Sequence, residues 1–122
     1  MKITHLALLT RDVQLSADFY KSLGLVPLVE GPGYARLRSV ELETTLSLID
    51  ATEVAPSGAT IYFEVADVDS EVQRLKGLGI GPVEPAKDQP WGWREARYRD
   101  PSGYAICLFW GGTSRLNPKL DA

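Results

Sequence analysis

A run of residues near the start of the chain returns, altered but in register, 55 positions later. The segment THLALLTRDVQLSADFYKSLGL, Thr4–Leu25, reappears from its second residue onward as Thr60–Ile80. Asp12-Val13 becomes Asp67-Val68, and Leu23-Gly24-Leu25 becomes Leu78-Gly79-Ile80, at the same offset. An offset that holds across a strand-like run, an acidic helix start and a glycine stop marks two related modules. It also sets His5 opposite Thr60, an asymmetry on which the chemistry turns.

The first module reads as residues 1–50 and the second as 59–110. Residues 51–58, with Pro56-Ser57-Gly58, form the linker, and 111–122 form a polar tail that is expected to be loosely held. Ile3–Leu9 is a predicted strand, Asp12 a helix cap, and Leu15, Phe19, Tyr20 and Leu23 the apolar face of the helix, which Gly24 stops. After the Gly31-Pro32-Gly33 turn, Tyr34–Val40 and Thr44–Ile49 read as an antiparallel pair. The second module repeats the plan. It has a strand at Thr60–Val65, then a helix capped by Asp67 with Val68, Val72, Leu75 and Leu78 on one face, stopped at Gly79. A short strand is expected near Val83, and Trp93–Arg99 and Tyr104–Trp110 flank the turn Asp100-Pro101-Ser102-Gly103. Each module is thus a βαβββ unit. The fold class is α+β: tandem βαβββ modules in a curled mixed sheet around a central cleft, within one domain, with the helices on the outer face.

With 13 Lys and Arg against 16 Asp and Glu, net charge −3, and no basic cluster, nucleic acid is not an expected partner. No apolar stretch approaches a membrane span, and the N-terminus lacks the pattern of a signal peptide. The single Cys107 cannot form an intramolecular disulfide, which fits a cytoplasmic protein.

Thr4-His5-Leu6, the Asp12…Phe19-Tyr20…Leu23-Gly24-Leu25 run, Ala66-Asp67-Val68-Asp69 and Asp100-Pro101-Ser102-Gly103-Tyr104 together resemble the vicinal oxygen chelate superfamily. That superfamily includes glyoxalase I, extradiol dioxygenases and bleomycin-resistance proteins. Gln89-Pro90-Trp91-Gly92-Trp93-Arg94-Glu95 is similar to the PWG-x-RE stretch of bleomycin-resistance-like members. The resemblance implies a homodimer, and either a small-molecule-binding protein of antibiotic-resistance type or a metal-dependent lyase, isomerase or dioxygenase. An interaction module on the same scaffold is a further alternative.

The resemblance carries the metal-ligand positions onto His5, Ser47, Thr60 and Cys107. Only His5 keeps the His or Glu usual at these positions; Ser and Thr hydroxyls are weak donors to a divalent ion, and His5 with Cys107 gives two donors where catalytic zinc takes three protein ligands. No catalytic residue, metal or cofactor is therefore expected. Strand alternation turns His5, Ala7, Leu9, Thr60, Tyr62, Glu64, Thr45, Ser47, Ile49, Ala105, Cys107 and Phe109 to the cleft. It leaves Leu6, Leu8, Ile61, Phe63, Val65, Ile106 and Leu108 as core. Trp91 or Trp93 is expected to stack on a ligand. Glu95 is expected at the surface, paired with Arg36, Arg38 or Arg97, with a place beside a ligand cation as the alternative. The expected ligand contacts are His5, Ser47, Thr60, Tyr62, Trp91, Trp93, Cys107 and Phe109. The expected partner is a planar aromatic or cationic small molecule.

Overall fold

Asp12 and Asp67 begin two helices of equal length, α1 (Val13–Ser22) and α2 (Val68–Gly77). The Asp12 carboxylate accepts from the Leu15 amide at 3.0 Å, and that of Asp67 from the Ser70 amide at 3.1 Å, each supplying a partner to an otherwise open first-turn N–H. Gly24 and Gly79, at φ 108° and 83°, take the left-handed conformation that lets the chain leave each helix. The computed structural model describes residues 1–113, 115 and 116.

In the first unit, the strands β1 (His5–Thr10), β2 (Val26–Glu30), β3 (Tyr34–Arg38) and β4 (Thr45–Asp50) form one mixed sheet in the order β1-β4-β3-β2. β1 pairs parallel with β4, and the other neighbours are antiparallel. In the second unit, β5 (Thr60–Glu64), β6 (Glu84–Asp88), β7 (Arg94–Arg99) and β8 (Ala105–Trp110) repeat this arrangement in the order β5-β8-β7-β6. The molecule is therefore α+β, built of two βαβββ modules with two separate four-stranded sheets. The chain groups into residues 1–57 with Asp100–Gly103, and residues 58–99 with 104 onward. The tail expected over 111–122 falls largely outside the described residues.

Each sheet carries its helix on one face. In the first, Leu8, Ala35, Leu37, Leu46 and Leu48 are buried, and the Thr10 hydroxyl meets that of Ser16 on α1 at 2.6 Å. In the second, Ala96, Tyr98, Ile106 and Leu108 are buried, while Arg94 pairs with Asp69 of α2 at 2.9 Å. Two carboxylates, Asp69 and Asp88, bond the Arg94 guanidinium and hold its proton more tightly still.

Three expectations about the core are corrected. Leu6 belongs to the helix-facing set but is 40% exposed at the start of its strand. Leu15 is exposed; α1 buries Val13, Ser16, Ala17, Phe19 and Tyr20 instead. Leu78 caps α2 from outside and is exposed. Among the described residues no helix is long and apolar enough to cross a membrane.

Candidate functional site

The register of the second sheet brings three cross-strand rows to its helix-free face. Tyr62, Cys107 and Arg97 lie abreast; Glu64, Phe109 and Glu95 lie next to them, and Thr60 lies level with Ala105 and Arg99. This is the set that alternation predicted for β5 and β8, extended by Glu95, Arg97 and Arg99 from β7.

Aromatic rings dominate the face. Trp93 stacks on Phe109 with centroids 4.6 Å apart and planes 21° from parallel. Tyr62 stands edge-on to both, at 6.1 Å from Trp93 and 5.5 Å from Phe109. Offset stacks and edge-to-face contacts are the favourable arrangements for ring quadrupoles. Gly111 holds the assembly in place from the end of β8. A Cβ there would lie 2.6 Å from Trp93 Nε1, so only glycine admits the indole at this position. Phe109 is buried, Trp93 half-buried, and Tyr62 43% exposed.

Glu95 is not the surface carboxylate the sequence suggested. It is 1% exposed, and both its oxygens are engaged: Arg97 Nη2 donates to Oε1 at 2.8 Å and Trp91 Nε1 to Oε2 at 3.0 Å. A buried carboxylate needs such partners to remain charged. Arg97 also reaches the Tyr62 hydroxyl at 3.2 Å and lies over the Tyr62 ring, 5.8 Å from its centroid. Gly92, at φ 92°, breaks the extended path between the two indoles. Trp91, 56% exposed, therefore caps Glu95, while Trp93 joins the ring cluster.

The first sheet repeats the pattern with different chemistry. Arg36 lies opposite Ser47 as Arg97 lies opposite Cys107, and Tyr34 takes the place of Glu95. The Tyr34 hydroxyl lies 2.5 Å from Ser47 Oγ and accepts from Arg36 Nε at 2.9 Å. These two bonds, that of Ser47 first, draw the phenol below its ordinary pKa. His5 is exposed, with Nδ1 2.6 Å from the Thr45 hydroxyl. Tyr34 was not singled out from sequence, and Arg36 and Arg97 were named only as partners for Glu95, of which Arg97 is the one it takes. Alternation from Ser47 and Glu95 through the paired strands is the signal that reaches them.

The donor groups do not suit a divalent ion. Ser47 is buried with its hydroxyl engaged by Tyr34, and Thr60 offers only another hydroxyl. Cys107 is fully buried, and burial, aided by the Glu95 charge, pushes its thiol up to about 12. The ligating form of cysteine is the thiolate, which such a site disfavours. Within either unit, among the described residues, no three His, Cys, Asp or Glu side chains gather as a metal cluster.

Comparison with known proteins gives a consistent result. The family model described as Glyoxalase/Bleomycin resistance protein/Dioxygenase superfamily matches residues 2–108. Similar solved structures include a possible glyoxalase from Bacillus cereus, 28% identical, covering 90% of this chain and 99% of the other, with TM-score 0.75. TnmS3, an antibiotic binding protein from Streptomyces sp. CB03234, is 25% identical over 92% of this chain and 97% of its own, with TM-score 0.77. A bleomycin-binding protein complexed with bleomycin shares the fold at 22% identity, 92% and 99% coverage and TM-score 0.72. No curated protein matches. A family match over nearly the whole length, on a chain built as two βαβββ modules, places this protein in the glyoxalase/bleomycin resistance protein/dioxygenase superfamily.

Proposed function

We propose that this protein binds a planar aromatic cation on the helix-free face of its second sheet and sequesters it, with no metal in the recognition and no bond made or broken. The observation that carries this reading is the Tyr62–Trp93–Phe109 cluster, stacked and edge-on, with Tyr62 still open to solvent. Flat aromatic faces attract both flat ligands and cations. Charge does not decide between ligands here: Glu64, Glu84 and Glu95 on this face are matched by Lys87, Arg97 and Arg99 and by Arg115 beside it, so the preference for a cation comes from the ring faces. Thr60 supplies a hydroxyl at the margin, and Trp91 offers a second exposed indole. The antibiotic-binding relative is consistent with this reading, and the family resemblance implies that the active unit is a homodimer.

Tryptophan fluorescence titration with proflavine, a planar cation, and anthracene-2-carboxylate, a planar anion, tests the proposal. Proflavine is expected to bind roughly tenfold or more tightly than the anion, and W93L to weaken it by roughly tenfold, in line with the loss of one stacking partner. Equal affinity for the two probes, or binding that survives W93L unchanged, overturns the reading. Turnover of any substrate that vanishes on chelation would replace it with the metal-dependent alternative.

A further inference from the structure

The first sheet carries a hollow of its own. It has a volume of about 200 Å³ and is lined by Leu28, Arg38, Glu43 and Thr45. Its walls follow from the strand pairing. Arg38 lies opposite Thr45 across β3 and β4, so both side chains rise from the helix-free face. Glu43 comes from the loop between these strands, which is closed by the Ser39 amide donating to the Thr44 carbonyl at 3.0 Å. Leu28 sits where the β2–β3 register shifts, a bulge that re-aims a side chain at a sheet edge.

Arg38 donates from Nε to the Ser39 carbonyl at 3.2 Å, and neither Arg38 nor Glu43 takes part in an ion pair among the described residues. Lys21 closes on Glu30, and Arg94 on Asp69 and Asp88, whereas Arg11 and Arg36, like Arg38, have no ion pair among the described residues. Here one cation and one anion line the same small volume without pairing. An anionic ligand would be drawn by Arg38 and repelled by Glu43, and a cationic ligand the reverse. Only a ligand carrying both signs satisfies both walls. Leu28, half exposed, adds an apolar contact, and the Thr45 hydroxyl, held beside His5 at 2.6 Å, adds a polar one.

We propose that this hollow binds a small zwitterion of the α-amino-acid class, with its carboxylate on Arg38, its ammonium on Glu43 and its apolar side group on Leu28. Both charged groups are exposed, so water competes for them and affinity is on the order of millimolar. This site lies within the first unit and does not rest on the aromatic site proposed for the second.

Nuclear magnetic resonance titration of the full chain with L-leucine, N-acetyl-L-leucine and L-leucine methyl ester tests it. Free leucine is expected to shift the amides of Leu28, Arg38, Glu43 and Thr45 saturably. Each capped derivative, having lost one charge, is expected to bind roughly tenfold more weakly. E43Q should abolish the preference for the free amine over the acetylated one, and R38Q the preference for the free acid over the ester. The proposal is overturned if either capped form binds as well as leucine, if no saturable shift appears at tens of millimolar, or if the shifts map to Tyr62 and Trp93. Should either variant fail to fold, the three ligands on the unaltered chain decide the matter alone.

Discussion

Ser47 and Cys107 stand in matching places, each buried on the last strand of its sheet and each abreast of an arginine. The hydroxyl at the first place bonds to Tyr34, whereas the thiol at the second sits in surroundings that deny it charge. In the unfolded chain that thiol loses its proton near its ordinary value of 9.0, and in the folded chain only at about 12. The folded state therefore holds the proton more tightly. The stability this confers is whole below pH 9.0 and is lost as pH rises toward and through 12. Iodoacetamide at ~pH 8 should leave Cys107 untouched in the native protein and alkylate it after denaturation. C107S should flatten the alkaline fall in stability. Rapid labelling of the native thiol would contradict its burial. The face on which Cys107 lies was legible from sequence because its strand alternates cleanly, although a ligand contact was expected there rather than a fully buried thiol. The burial of Glu95 was not, since it depends on Trp91 turning back over it at Gly92 and on Arg97 two residues on.

The helices are where local sequence spoke most clearly. Caps and stops act within one turn, so Asp12, Asp67, Gly24 and Gly79 could be read without knowing the rest of the fold. D12A and D67A should each cost about 1 kcal/mol in chemical denaturation, the usual loss for a capping side chain. Asp67 adds a pH signature. Hydrogen bonds from the Ser70 amide and hydroxyl hold its carboxyl below the usual range. Its contribution is present above its unfolded value of 3.8 and is lost as pH falls through the lower folded one, so the D67A deficit should shrink in acid. Edge strands were harder to see. All five residues of β2 are exposed, and the strand is held by one neighbour and tolerates Pro27, so it has no alternating pattern to read. β6 shares that position in its sheet, and only its approximate place near Val83 was expected. On α1 the buried Ser16 replaces the expected Leu15, because its hydroxyl meets that of Thr10, a contact that only the folded strand supplies.

At the scale of the molecule, the 55-residue echo was enough to fix the duplicated plan, and the family match agrees with it. The aromatic face proposed to bind a ligand was legible in outline, through Tyr62, Trp93 and Phe109. Its charges were legible in part: the Glu95–Arg97 pair was among those expected, whereas the Glu84–Arg97 pair crosses from β6 to β7 and depends on register. The Asp100–Gly103 turn ties this scale together. It joins two strands of the second sheet yet clusters with the first unit. The buried Tyr20 hydroxyl donates to Asp100 at 2.6 Å, and Ser102 closes on the Thr10 hydroxyl at 2.7 Å. Y20F should lower stability by roughly 2 kcal/mol, a fall in Tm on the order of 5–10 °C, read by calorimetry. A Tm within a degree of the parent would show the bond to be dispensable.

That same turn limits how the gene could ever be divided. A polypeptide ending at the linker would present α1 with a phenol searching for a carboxylate encoded far downstream. The later piece, expressed alone, would carry a hairpin tip shaped for a missing host. Although built on a repeat, the first half has borrowed four residues from the second's hairpin, and the Tyr20 hydroxyl should find its carboxylate only when both pieces are supplied together.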